Sequence, residues 1–301
     1  MKRIAVYVSL CIVWGSTWAV ISVLVSQVAP LRSAAVRFVL AGLLLLPIAL
    51  IRRVRWPLRS EWRAIALMSV LMFGIPYALI FWAEQHISSS LTAVLYAAMP
   101  LFMALLTPLL NGRRVPRAAM QAILFGWGGL LVVLSGALTA SRAQIGAAIA
   151  VLISVVCQAF AALAAKRQLS EISPLMSNSL SMLGGGLVLS LGSAVLERHT
   201  ASHWTHDAIG ALWFLILVAS CYGFTMYFWL LQRMEPYKVA TMQLIIPLVA
   251  IAEGALWLRE RVPLPMLLGS AIVLASVGFV LRAGSHADEP ISVLVEEVPA
   301  P

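Results

Sequence analysis

The sequence predicts an all-α integral membrane protein in which ten transmembrane helices form two inverted five-helix repeats. Three observations predict this fold class. The chain is 61% hydrophobic and 11% charged, it contains ten apolar segments of membrane-spanning length, and residues 81–116 recur at residues 228–263. Soluble globular domains contain about 25% charged residues, so this composition excludes a soluble fold.

The ten apolar segments define the predicted spans, because a membrane-spanning helix needs about 20 mostly apolar residues. The first follows the basic N-terminus without a clear cleavage site, which indicates an uncleaved helix rather than a signal peptide. Short connections join the spans, and the acidic tail 283–301 is expected to be a disordered cytoplasmic segment. The predicted spans are 4–28, 32–51, 64–84, 89–111, 116–138, 145–166, 174–195, 207–232, 236–258 and 263–281.

Basic residues in the connecting segments predict the orientation. With the N-terminus inside, 15 Lys and Arg residues face the cytoplasm, five face the outside, and Arg37 lies within a span. Cytoplasmic loops carry an excess of Lys and Arg, so both termini are expected in the cytoplasm. The predicted location is the inner (plasma) membrane of a bacterial-type cell. The same distribution explains the net charge of +9 without a nucleic-acid partner.

The internal repeat aligns without a gap. Phe81-Trp82 corresponds to Phe228-Trp229, Pro100-Leu101 to Pro247-Leu248, and Arg114-Val115-Pro116 to Arg261-Val262-Pro263. Five spans separate each position from its copy, and an odd number reverses the direction of the chain through a membrane. Inverted repeats are typical of secondary transporters, with the substrate site where the repeats meet. The predicted domains are a first repeat at 1–140 and a second repeat at 141–282.

Several short motifs resemble the drug/metabolite transporter superfamily, specifically its EamA-type ten-helix members. The motifs occur in order along the chain up to about residue 282: Trp14-Gly15-Ser16-Thr17, Arg37-Phe38, Ala83-Glu84, Ser88-Ser89-Ser90, Ala97–Leu101, Pro247 and Leu258–Val262. The resemblance implies a secondary transporter, and many similar proteins export amino acids, other metabolites or toxic compounds. Two positions depart from the family pattern. Arg113 stands at the end of the fourth span, where the family usually has Glu, so a role for that Glu is in question in the first half. Gln158 stands where the second half often has an aromatic residue, and this difference affects which substrate is expected.

Two acidic residues are candidates for positions inside predicted spans, and one basic residue lies clearly inside one. Charge is costly there and therefore indicates function. These are Arg37, Glu84 and Glu253, all expected at outer-leaflet depth. One hypothesis pairs Arg37 with Glu84 or Glu253 as a gate. The alternative makes Arg37 a packing residue and places Glu84 at the wet interface. Glu253 is also the candidate for proton coupling, because burial favours the neutral form of a carboxyl group.

The substrate cavity is expected near the membrane midplane, between the repeats. Aromatic and amide side chains at corresponding places in the two halves suit an amphipathic substrate. Each aromatic residue has packing between helices as its alternative role. The predicted cavity residues are Trp14, Trp18, Tyr77, Tyr96, Gln158, Tyr222 and Gln243. Pro100 and Pro247, which correspond in the repeat, are the predicted hinges because proline interrupts helical hydrogen bonding.

The predicted function is alternating-access transport, with export of a small metabolite or amino acid-like compound. A proton-coupled exporter of drugs or toxic cations is the main alternative, and a membrane scaffold or receptor is the remote one. The sequence contains no H-E-x-x-H, G-x-S-x-G or P-loop motif, so we predict no enzyme activity, cofactor or metal. The expected partners are the bilayer, a small-molecule substrate and, with proton coupling, a proton. The sequence leaves a monomer and a homodimer open.

Overall fold

The structure, a computed structural model, consists of helices and the turns and loops that join them, and no strand occurs among the residues that it describes. It describes residues 2–111, 117–137, 141–234 and 263–285, and between them residues 239, 242, 243, 245–247, 249 and 253. The helices are α1 (Lys2–Val25), α2 (Pro30–Ile51), α3 (Trp62–Ala83), α4 (Ser89–Tyr96), α5 (Met99–Asn111), α6 (Arg117–Ala137), α7 (Arg142–Gln168), α8 (Pro174–Leu196), α9 (His206–Arg233) and α10 (Leu264–Ser285).

Seven stretches within the described residues are long and apolar enough to cross a membrane. They are α1, α2, α3, the α4–α5 pair, α7, α8 and α9. The all-helical, multi-pass membrane class is therefore confirmed. Helices α6 and α10 coincide with the fifth and tenth predicted spans, whereas the predicted span 236–258 lies largely outside the described residues. The ten-helix inverted repeat and the domain boundaries stay predictions.

Local sequence signals explain where several helices begin. Ser141 accepts the backbone N–H of Gln144, whose side chain accepts the N–H of Ser141, and this capping box opens α7. Pro174 opens α8 after the Ser173 cap, and proline suits the first turn because that N–H has no helical partner. Thr205 caps α9 in the same way as Ser173 caps α8.

Helix α2 packs along α8, α3 along α7, and α6 along α10. Glycines in α8 allow the close approach of its neighbours. A Cβ atom on Gly185 would lie 2.5 Å from Phe73 Cβ, and one on Gly186 would lie 2.7 Å from Val39 Cγ2. Gly184–Gly186 is therefore a packing surface, because small residues let membrane helices approach each other.

Two helices contain π-helical turns, and one predicted span is broken. The π-helical segments are Ser69–Gly74 in α3 and Leu215–Phe224 in α9. The break lies between Tyr96 and Met99, directly before Pro100. A proline at this position cannot donate to the carbonyl of Tyr96, and its ring clashes with that carbonyl, so the helix ends there.

Candidate functional site

A cavity lies between α1, α2, α3, α4, α9 and the helical residues near 243. It contains about 420 Å³ of space that atoms do not fill, part of it open to solvent. A water molecule's centre can occupy about 40 Å³ of that space. An enclosed water molecule needs about 10–15 Å³ of volume that its centre can occupy, so this conformation has room for only a few waters. The lining residues are Trp14, Thr17, Trp18, Ile21, Arg37, Tyr77, Ile80, Tyr96, Phe224, Gln243 and Ile246.

Helix α1 provides four lining residues because of their spacing. Trp14, Thr17, Trp18 and Ile21 stand three, four and seven positions apart, so they share one face of the helix. Trp14 Nε1 donates to the carbonyl of Ala219 at 3.3 Å, which fixes its indole against the π-helical segment of α9. The face of α1 that carries the predicted residues Trp14 and Trp18 therefore extends to Thr17 and Ile21.

Aromatic rings form much of the cavity wall. Trp14 stacks at tilted angles on Phe224 and Tyr227, with centroid separations of 5.3 and 5.2 Å. Trp18 contacts Tyr96 at 5.1 Å, and Tyr77 lies 6.2 Å from Phe224. Phe224 was not among the predicted cavity residues, although its repeat counterpart Tyr77 was. The repeat offset was the signal that could have identified it.

Arg37 reaches the cavity from α2, and its side chain is completely buried. Its Nε donates to Ser220 Oγ at 2.8 Å. The guanidinium carbon lies 4.9 Å from the Phe38 ring centroid, 5.0 Å from that of Tyr77 and 5.9 Å from that of Phe81. Aromatic faces attract the cation, and the Tyr77 hydroxyl lies close enough to interact with the guanidinium. Within the described part of the chain Nη1 and Nη2 make no hydrogen bond of standard geometry.

The expected ion pair of Arg37 is not formed in this structure, because aromatic rings and Ser220 occupy the space around the guanidinium. Neither Glu84 nor Glu253 approaches it within 4.0 Å. Glu253 Oε1 accepts a hydrogen bond from Ser16 Oγ at 2.8 Å. Glu84 is buried directly after the last residue of α3. The gating and coupling roles of these three residues stay predictions.

Gln158 supports the cavity without lining it. The Tyr96 hydroxyl donates to Gln158 Oε1, and Gln158 Nε2 donates to the carbonyl of Met72 at 3.3 Å. Met72 belongs to the π-helical segment of α3. Gln158 therefore positions the Tyr96 ring against α3, and its amide is used by protein groups instead of facing the cavity.

Tyr222 also lies outside the cavity lining. The residue is 38% exposed, and its hydroxyl shares a hydrogen bond with Ser9 Oγ at 2.6 Å. Five of the seven predicted cavity residues line one cavity, namely Trp14, Trp18, Tyr77, Tyr96 and Gln243. Of the predicted hinges, Pro100 follows the break between α4 and α5, and Pro247 is buried within a helical stretch.

The sequence that forms this cavity of aromatic and polar residues matches a known family of membrane proteins. The model of the EamA-like transporter family matches residues 1–135 and 145–282. The chain belongs to this family. The resemblance that the motifs indicate is thus confirmed. Both matched ranges of this EamA-like transporter contribute cavity residues: the first provides Trp14 and Arg37, and the second provides Phe224 and Gln243.

Individual relatives agree with this membership. The chain is 22% identical to the uncharacterized transporter YoaV of Bacillus subtilis, over 90% of this chain and 93% of that protein. It is 28% identical to the uncharacterized inner membrane transporter YedA of Escherichia coli, over 82% of this chain and 79% of that protein. A solved crystal structure shares the fold, with a TM-score of 0.69 and 15% identity, over 94% of this chain and 99% of that one. This EamA-like protein is accordingly a membrane transporter.

Proposed function

We propose that this transporter consists of two inverted five-helix repeats, 1–140 and 141–282, and works by alternating access in the inner membrane with both termini in the cytoplasm. It exports a small metabolite or an amino acid-like compound. One observation carries the proposal: helices of both halves enclose a single cavity that combines aromatic walls with buried polar groups. Substrate sites of inverted-repeat transporters lie where the repeats meet.

Helix packing supports the two-fold arrangement. If each predicted span corresponds to the one five spans later, α2 corresponds to α8, and α6 to α10. Each of these pairs packs together. Helix α3 packs on α7, and the corresponding contact, between α9 and α1, is also made. This is the pattern that a pseudo-two-fold axis between the repeats produces.

The π-helical segments support the same arrangement. The repeat offset moves Ser69–Gly74 to residues 216–221, which lie within the second segment, Leu215–Phe224. π-Helical turns occur frequently at functional sites. The segment in α3 is followed by the cavity residue Tyr77, and the segment in α9 ends at the cavity residue Phe224.

Uptake into sealed everted vesicles tests the function, because export from the cytoplasm becomes uptake in that geometry. A panel of amino acids, their carboxylate and amine analogues, and organic cations is offered with and without a proton gradient. Ile21→Trp, which fills the cavity, should abolish uptake, and Leu43→Trp on the exposed face of α2 should not change it. Wild-type uptake no greater than that of protein-free vesicles, or full uptake by folded Ile21→Trp protein, would contradict transport through this cavity.

The same assay addresses proton coupling. Gradient-dependent uptake that Glu253→Gln makes independent of the gradient would assign coupling to Glu253. Gradient-dependent uptake that persists unchanged in this variant would remove Glu253 from that role.

A further inference from the structure

Arg37 carries a buried positive charge that no carboxylate in the described part of the chain neutralises by an ion pair. Its Nε uses Ser220, a neutral acceptor, and the surrounding groups are the rings of Phe38, Tyr77 and Phe81. No carboxylate among the described residues lies within 4.0 Å of it. A buried charge without an opposite charge beside it is costly, and an anion bound at this place would offset that cost.

The unused donors meet at the cavity. Arg37 Nη1 and Nη2 and Trp18 Nε1 are buried and make no hydrogen bond of standard geometry with the described residues, although the Tyr77 hydroxyl lies near the guanidinium. Both side chains line the cavity. A guanidinium presents its N–H groups in a planar fork that matches the two oxygens of a carboxylate. An indole N–H only donates, so it too favours an acceptor.

Water can accept these hydrogen bonds, but it cannot neutralise the charge. An organic cation meets an uncompensated guanidinium in a low-dielectric site, where like charges repel strongly. The cavity chemistry therefore opposes the alternative of a cation exporter. It favours a ligand whose anionic end is small and planar.

The remaining walls specify the other end of the ligand. Trp14, Tyr77 and Phe224 present rings, and Ile21, Ile80 and Ile246 present aliphatic carbons. Aromatic and aliphatic surfaces of this kind gain most from burying an apolar group. Since this conformation has room for only a few waters, the helices must separate to admit such a ligand.

We propose that this cavity binds organic monoanions that carry one carboxylate and an aromatic or branched apolar body. The carboxylate binds Nη1 and Nη2 of Arg37 and Nε1 of Trp18, and the body packs against Trp14, Tyr77 and Phe224. This inference rests on the proposed function, because it names the substrate class of the same cavity. It requires no α-amino group on the ligand.

Binding to the full-length protein in lipid nanodiscs tests the inference with three probes that share one phenyl ring and chain length. They are 3-phenylpropionate, 3-phenylpropanol and 3-phenylpropylamine, measured by calorimetry. We expect the carboxylate to bind at least about tenfold more tightly than the alcohol or the amine, as a charge-assisted bidentate contact predicts. Phenylalanine, tested beside them, shows whether an α-amino group adds to or reduces the affinity.

Variants locate the anion contact. Arg37→Gln should weaken 3-phenylpropionate binding about tenfold or more, whereas Trp18→Phe, which keeps the ring and loses the N–H, should weaken it about threefold to tenfold. Arg37→Lys keeps the charge but not the fork, so it should retain part of the affinity. Arg59→Gln removes an exposed loop guanidinium and should leave binding unchanged.

The inference is wrong if the wild-type protein binds none of the probes, or binds the alcohol or amine as tightly as the carboxylate. It is also wrong if folded Arg37→Gln and Trp18→Phe proteins both retain full affinity. Selective carboxylate binding without vesicle uptake would support the anion site and contradict the transport proposal. Uptake of cations in the vesicle assay, without carboxylate binding, would support the transport proposal and contradict the anion site.

Discussion

Arg37 on α2 is joined to Ser220 on α9 by a hydrogen bond of 2.8 Å from Nε to Oγ. Both side chains are completely buried, and Ser220 lies within the π-helical segment Leu215–Phe224. This bond fixes the orientation of the guanidinium relative to the cavity, and it connects helices of the two predicted repeats.

Ser220→Ala should destabilise the protein by about 1–3 kcal/mol, because it leaves a buried charged donor without an acceptor. Equilibrium unfolding in detergent measures the change. The control is Ser179→Ala, since Ser179 is equally buried but bonds only to the carbonyl of Met176 in its own helix. Equal losses in the two variants would show that the link between helices contributes nothing of its own.

Gly223 provides the space for the Trp14 indole. A Cβ atom at position 223 would lie 2.6 Å from Trp14 Nε1, so Gly223→Ala must displace the indole from its bond to Ala219. We expect a loss of about 1–3 kcal/mol in unfolding free energy from overpacking, with weaker substrate uptake.

Gly128→Ala is the matched control, because no atom of the described residues lies within 4 Å of a Cβ atom at that position. It should leave uptake unchanged. Normal stability and uptake in Gly223→Ala would mean that the Trp14 position is not required.

The sequence predicted where the site residues lie along their helices better than it predicted which face of each helix points toward the cavity. Hydropathy and the repeat offset identified the helices and five of the lining residues. Tyr222 was predicted to line the cavity as an aromatic residue of the second half, yet it lies inside a π-helical segment, where the wider turn changes the face that each residue presents. The partners of Arg37 were not predictable either, because hydropathy places a residue along a helix axis but not around it.

Glu197 fastens the N-terminus of α2 to the segment after α8. Its carboxylate accepts the backbone N–H groups of Leu31 and Arg32 at 2.7 and 2.9 Å, and the hydroxyl of Ser193 at 2.9 Å. An anion at this position satisfies free N–H groups and interacts favourably with the helix dipole. Glu197→Ala should therefore cost about 1–2 kcal/mol in unfolding free energy.

Glu171→Ala removes an exposed carboxylate from the segment between α7 and α8 and should cost much less. Hydrogen exchange gives a second readout, since the amides at the start of α2 should exchange faster only in Glu197→Ala. Unchanged protection there would show that the carboxylate does not hold this helix end.

Pro100 maintains the break between α4 and α5. Pro100→Ala restores an N–H that can donate to the carbonyl of Tyr96, so the two helices should join into one. If the break is the hinge of alternating access, substrate binding should persist while the transport rate falls several-fold. Pro108→Ala is the control because α5 continues through Pro108. Equal effects of the two variants on rate would contradict a specific hinge at Pro100.

An ion pair in the loop between α2 and α3 should make stability depend on pH. Arg55 Nη2 donates to Glu61 Oε1 at 2.6 Å, and the backbone N–H of Leu58 donates to Glu61 Oε2 at 2.7 Å. The guanidinium of Arg55 is the main cause that lowers the pKa of the Glu61 carboxyl below its ordinary value of 4.5. The folded state therefore favours the ionised carboxylate more than the unfolded chain does.

The direction of the pH effect follows from the lowered pKa. The contribution of Glu61 is fully present above the pKa of the unfolded state and is lost as the pH falls through the folded-state value. Wild type should therefore melt at a higher temperature than Glu61→Gln at pH 7, and the difference should shrink below about pH 4.5. Thermal unfolding followed by tryptophan fluorescence between pH 7 and pH 3 measures it. A difference between wild type and Glu61→Gln that stays constant over this range would show that the loss comes from altered packing and not from the charge.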